Sequence, residues 1–138
     1  MRRWMFAALL VSLLAGTFGC GDDDETTTPT EPTRPTTTET FQGRVTVNGA
    51  QSHQFAATGS GRIDVTLTTL TPDTARVSLV LGTLNQLGGC QVVIFNDNAT
   101  QGTQVAGNAS AAGSFCVRVH DNGQLTEPVD YTLTVVHF

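Results

Sequence analysis

The chain has 138 residues, a formal net charge of −5 and only 14 % charged residues, with arginine as its sole strong base besides three histidines. That length permits one modest core. Beyond the first nineteen residues acids outnumber bases by twelve to five, which excludes the basic footprint that nucleic acid requires.

The N-terminus reads as a targeting segment spanning residues 1–19. Arg2 and Arg3 form a positive n-region, and Phe6 to Ala15 form an apolar run. That run is too short for the hydrocarbon core of a bilayer, about 30 Å thick, so it reads as a signal-peptide core in preference to a membrane anchor. The following Leu14-Ala15-Gly16-Thr17-Phe18-Gly19-Cys20 resembles a bacterial lipoprotein processing site. The resemblance implies that Cys20 is lipidated and that the protein is held in the bacterial cell envelope by its lipid. Thr17 and Phe18 depart from the usual small and aliphatic pattern of such sites.

Residues 20–40 form an acidic Thr/Pro-rich stretch, Gly21-Asp22-Asp23-Asp24-Glu25 followed by Thr26 to Thr40. It holds too little apolar surface to fold and is expected to be a disordered tether. Pro29, Pro32 and Pro35 favour an extended path. The acidic cluster reads as a solvated charge run before it reads as a calcium site.

Cysteine arithmetic fits this organisation. With Cys20 lipidated, Cys90 and Cys116 remain as a pair, and an oxidising compartment would join them. Two buried free thiols are the alternative. A zinc site is disfavoured, because neither a C-x-x-C spacing nor a neighbouring His pair is present.

From Phe41 the pattern is all-β. Phe41, Gly43, Val45 and Val47 alternate, and Asn48-Gly49 signals a hairpin leading to His53, Phe55 and Ala57. Ile63, Val65 and Leu67 follow, then a turn at Thr71-Pro72-Asp73, then Val77, Leu79 and Leu81. Cys90 to Phe95 is a largely apolar strand, Asn96-Asp97-Asn98 is expected to open a polar loop, and Gln104-Val105-Ala106 reads as a short edge strand. The clearest alternation is Phe115, Val117 and Val119 against Cys116, Arg118 and His120. An Asp121-Asn122-Gly123 turn is expected to join this strand in a hairpin to Val129, Tyr131, Leu133 and Val135. Seven to eight short strands without helical periodicity predict an antiparallel β-sandwich over residues 41–138.

The run Ala112-Gly113-Ser114-Phe115-Cys116-Val117-Arg118-Val119, with Asp130-Tyr131-Thr132-Leu133-Thr134-Val135, resembles the bacterial pre-peptidase C-terminal domain. Gly43, Val45 and Val47, then Gln54-Phe55 and Ile63-Asp64-Val65-Thr66-Leu67, are similar to that family's first strands. The resemblance covers residues 41–138 and implies a compact jelly-roll-like sandwich, not itself catalytic. It supplies no binding residues, and the Cys90 and Cys116 pair is a departure from the common pattern.

No catalytic constellation is evident. His53 reads as a packed or rim residue, His137 as part of a fraying terminus, and His120-Asp121 as a strand end. There is no G-x-S-x-G nucleophile motif. Asn96, Asp97 and Asn98 could offer loop oxygens to calcium, but an Asx-rich turn explains the same residues and is the favoured reading. The expectation is a non-catalytic adhesion or accessory module without cofactor, whose partners are the membrane, through the lipid, and an envelope protein or glycan. A carbohydrate-binding module and a small secreted hydrolase are the alternatives. The first lacks an aromatic platform, since the domain has no Trp and its single Tyr131 is expected to point inward. Sandwiches carry variable contacts on end loops, so the candidate contact residues are Asn96, Asp97 and Asn98 with Asp121, Asn122 and Glu127.

Overall fold

The computed structural model describes residues 34–138. The signal segment, Cys20 and most of the expected tether lie outside the described residues. Eight strands follow in order: β1 (Thr37–Val45), β2 (Ala50–Ala57), β3 (Gly61–Thr71), β4 (Val77–Leu84), β5 (Cys90–Ala99), β6 (Gln104–Ala109), β7 (Gly113–His120) and β8 (Val129–His137). They form two four-stranded sheets, β1-β8-β3-β6 and β2-β7-β4-β5, with every neighbouring pair antiparallel. The fold is an all-β antiparallel sandwich with the jelly-roll strand order.

That order is one long hairpin rolled over on itself. β1 pairs with β8, β2 with β7, β3 with β6 and β4 with β5, so the two ends of the domain meet, Thr37 opposite His137. Only β4 and β5 are both consecutive and paired. Both hairpins read from local turn signals are therefore corrected. Asn48-Gly49 leads from one sheet to the other, and so does Asp121-Asn122-Gly123. At the first crossing, Gly49 N–H donates to Thr46 O at 2.8 Å and Asn48 takes a φ of 56°. A positive φ at the third turn position belongs to a type II turn, which Asn tolerates, and not to the type I′ turn of a tight hairpin.

β7 and β8 thus face each other across the core instead of lying side by side. Val117 and Val119 project inward from one sheet, Tyr131, Leu133 and Val135 from the other, and all five are buried. Period-two alternation produces both faces, and burial of such side chains contributes roughly 1.5–3 kcal/mol each. Ile63, Val65, Leu67, Val77, Leu79 and Leu81 complete the layer between the sheets.

β1 begins at Thr37, ahead of the expected boundary at Phe41. Thr has good strand propensity, and Thr37 to Thr40 find partners in the last residues of β8. Just before it, Arg34 donates to Ser60 O at 2.9 Å and stacks its guanidinium over the Phe138 ring.

Cys90 and Cys116 are bonded, with Cα atoms 5.8 Å apart. The bond lies on the outer face of its sheet, as alternation at Cys116 predicts. Such a staple on one face is expected to join neighbouring strands, and this expectation is corrected: β4 lies between β5 and β7. Two strand spacings of a flat sheet are about 9.5 Å, so β5 must curl over β4 to reach β7. A bulge where Leu81 and Gly82 pair with Ile94 and Val92 supplies the bend. Gly82 supplies the space, because a Cβ there would collide with the carbonyl oxygen of Gln91 and lie 3.2 Å from the Cys90 sulfur.

Candidate functional site

Four connections gather at one end of the sandwich: β1–β2, β3–β4, β5–β6 and β7–β8. The candidate residues are brought together there, but as structural partners of one another. Asp121 Oδ1 accepts the backbone N–H groups of Gly123, Gln124 and Leu125 at 2.8, 2.8 and 3.0 Å, and its Oδ2 accepts that of Asn48 at 2.8 Å. The carboxylate organises its own loop and ties it to the β1–β2 crossing. Burial pushes the Asp121 carboxyl up, but the four backbone donors outweigh it and hold the group below its ordinary value.

Asn96, Asp97 and Asn98 are strand residues, because β5 continues to Ala99, and the expected polar loop shortens to the turn before Gln104. The Asn96 side chain accepts the Asn98 N–H at 2.9 Å. Asp97 Oδ1 accepts the Ser78 hydroxyl at 2.6 Å, while its carbonyl accepts Asn122 Nδ2 at 2.7 Å and Gln124 Nε2 at 3.2 Å. The two predicted loci are therefore one cross-linked unit. Glu127 stands apart and exposed, on an open cleft of about 220 Å³ that Pro72, Arg76, Gln124 and Leu125 also line.

Ser78, His120 and Asp97 share the outer face of the β2-β7-β4-β5 sheet, with Ser78 opposite His120. Their order does not suit nucleophilic catalysis. The hydroxyl is buried and donates to the carboxylate, whereas an activated Ser must donate to an imidazole oriented by the acid. Burial, then the neighbouring Arg118, lowers the His120 imidazole from its ordinary value, and Asp97 and Asp121 oppose this only in part. His120 Nδ1 and Arg118 Nε find no hydrogen-bond partner among the described residues.

The other histidines lie at the β1–β2 seam. His53 stacks on Phe41 with ring centroids 4.9 Å apart, and its Nε2 is 2.8 Å from the Tyr131 hydroxyl. Burial lowers His53 from its ordinary value and pushes Tyr131 up to about 12, so the pair is neutral at physiological pH. Gly43 makes this possible, since a Cβ there would strike the Tyr131 hydroxyl and the Gln51 amide. His137 is not frayed. It is buried against Phe55, with Nε2 2.9 Å from Glu39 Oε1 and Nδ1 3.2 Å from Phe138 O.

Alternation did not disclose the exposed apolar side chains of β5. Val92, Val93 and Phe95 are 51 %, 62 % and 58 % exposed, although an apolar run of this kind reads as a buried strand. β5 is an edge strand, and an edge strand has one flank without a neighbour to cover it. The run of consecutive apolar residues was itself the available signal, since a half-buried strand should alternate.

No protein-family model and no curated protein matches this chain. Its chemistry has to be read from its own residues. Among the described residues no group of three or more His, Cys, Asp or Glu is arranged to hold a metal ion.

Proposed function

We propose that the chain is a non-catalytic lipoprotein of the bacterial cell envelope, in which a lipid on Cys20 and an extended tether present the jelly-roll domain as an adhesion or accessory module. The observation that carries the non-catalytic part is the commitment of the candidate acids, the buried serine and two of the three histidines to internal bonds, which leaves the unpartnered His120 without an acid or nucleophile arranged around it. Asp121 is saturated by four backbone donors, Asp97 holds Ser78, His53 holds Tyr131, and His137 holds Glu39. A catalytic acid or base needs a free coordination position facing substrate. The tethering rests on the sequence alone, on the short apolar run and on a Cys placed directly after it. The resemblance to the pre-peptidase C-terminal domain supports an accessory role.

A glycan-binding reading draws little support from the aromatic residues, because Tyr131 is buried and committed to His53. Fractionation of cells producing the wild type and Cys20→Ser tests the proposal. The wild type is expected in membranes and the variant in the soluble or unprocessed fraction. Equal membrane recovery of both in the same processed form would refute the anchor. Turnover of a peptide, ester or glycan by the purified domain, lost on His120→Ala, would refute the non-catalytic assignment.

A further inference from the structure

The far edge of β5 carries the features of a strand built to receive another strand. No other strand among the described residues pairs with it. From Cys90 to Asn96 it has no charge and no proline, which are the usual devices that keep edges from pairing. It is also held firmly at both ends. The disulfide ties Cys90 to β7, and Asn122 and Gln124 hold Asp97 and Asn98. A strand fixed in this way loses little entropy on pairing.

The facing pattern identifies the occupant. Phe95 lies opposite outward-facing Val80, and Val92 opposite Gly82, whose other partner is the outward-facing Cys116. Val93 is the extra residue of the bulge, and with Ile94 it lines an apolar recess at the β5–β6 seam shared with Leu81 and Gly107. Asn96 pairs with inward-facing Leu79. From Gln91 to Asn96 the side chains therefore point in, out, in, in, out and in. That sequence of directions is symmetric about the Val93–Ile94 peptide.

We infer that β5 pairs antiparallel with β5 of a second copy of this chain, about a two-fold axis at the Val93–Ile94 peptide, to make a continuous eight-stranded sheet across a dimer. In this register Val92 of each copy lies against Phe95 of the other on the outer face. Val93 meets Ile94 on the inner side, and the amides of Gln91 and Asn96 meet at the ends. Apolar residues oppose apolar ones and amides oppose amides. The single charge, Asp97, falls opposite Cys90 and not opposite its own copy, so the pairing brings no like charges together in an acidic protein. An isologous contact needs this self-complementarity, whereas a foreign peptide places no such demand on the strand. The pairing does not depend on the lipid anchor.

The test uses the exported chain carrying Cys20→Ser, which lacks lipid, in sedimentation equilibrium from about 1 µM to about 500 µM. The expected species is a dimer. Phe95→Lys and Val92→Lys are each expected to weaken it about a hundredfold while leaving the melting temperature of the monomer unchanged, because both side chains are exposed. Mixed V92C and F95C proteins are expected to cross-link to each other in preference to themselves, which reports the register. A wild type that stays monomeric throughout, a dimer that survives both lysine variants, or open-ended larger species would overturn the inference. So would a monomer that binds a foreign extended peptide along β5.

Discussion

The carboxylate of Asp121 accepts the backbone N–H of Asn48 at 2.8 Å, across 73 positions of sequence. This bond joins two of the four connections that cross between the sheets at one end of the sandwich. The return bond from Asp121 N–H to Gly49 O at 2.9 Å makes the junction reciprocal. Asp121→Ala removes the acceptor of four backbone donors at once and is expected to destabilise the domain by about 2–4 kcal/mol. Asp121→Asn, which keeps one oxygen, should cost roughly half of that. Urea unfolding of the three proteins measures the difference. A loss for Asp121→Ala below about 0.5 kcal/mol would place the carboxylate outside the folding machinery and return it to the list of ligand contacts.

The disulfide and Gly82 act on the same feature, the curl of β5 over β4. Cys90→Ser with Cys116→Ser opens a cross-link spanning 26 positions and is expected to cost about 3–4 kcal/mol. Gly82→Ala drives a methyl group into the Gln91 carbonyl and should cost about 1–3 kcal/mol even with the disulfide intact. Because both changes release the same strand, their combination should cost less than the sum. Thermal melts of the two variants and their combination read this directly. Full additivity would mean that the bond and the glycine act independently.

His53 sets the expected response to moderate acid. Its folded-state pKa lies below the ordinary value, so between the two values the unfolded chain binds a proton that the folded chain does not. The stability that this group contributes is complete above about pH 6.5 and is lost as pH falls toward the folded-state value. His120 has the same sign. Asp121, also lowered, loses its contribution only further down, as pH falls below about 4 and through its own folded value. Melting temperature recorded from pH 8 to pH 3 should therefore hold level, sag below about 6.5 and drop again below about 4. His53→Gln can still bond Tyr131 but does not titrate, and it should shrink the first step to the share that His120 contributes. A wild type that gains stability between pH 7 and pH 5 would contradict this assignment.

Much of the fold was legible because it rests on period-two alternation. Phe115, Val117 and Val119 were readable as one face, and Cys116 as belonging to the other. The edge position of β6 was legible from its shortness. Sheet membership was not. Asn48-Gly49 and Asp121-Asn122-Gly123 carry strong local turn chemistry, but whether a turn closes a hairpin or crosses a sandwich depends on partners about seventy residues away. The apolar run of β5 was legible as a strand but not as an edge, since sequence shows hydrophobicity without showing which strand is last in a sheet. Asp97 and Asp121 looked like exposed loop residues because polarity does not reveal a backbone donor already waiting for a carboxylate. His137 looked frayed at the chain end, although its pairing partner, Glu39, lies almost a hundred residues earlier.

The proposed presentation of this domain from a membrane rests on one residue, Cys20, and the mature N-terminus tests that proposal most directly. Mass spectrometry of the protein isolated from bacterial membranes should find Cys20 as the first residue, bearing a thioether-linked diacylglycerol. Several acyl chains would anchor the protein stably, where one chain holds only marginally. A mature chain that begins elsewhere, or that begins at Cys20 with an unmodified thiol, would contradict the account.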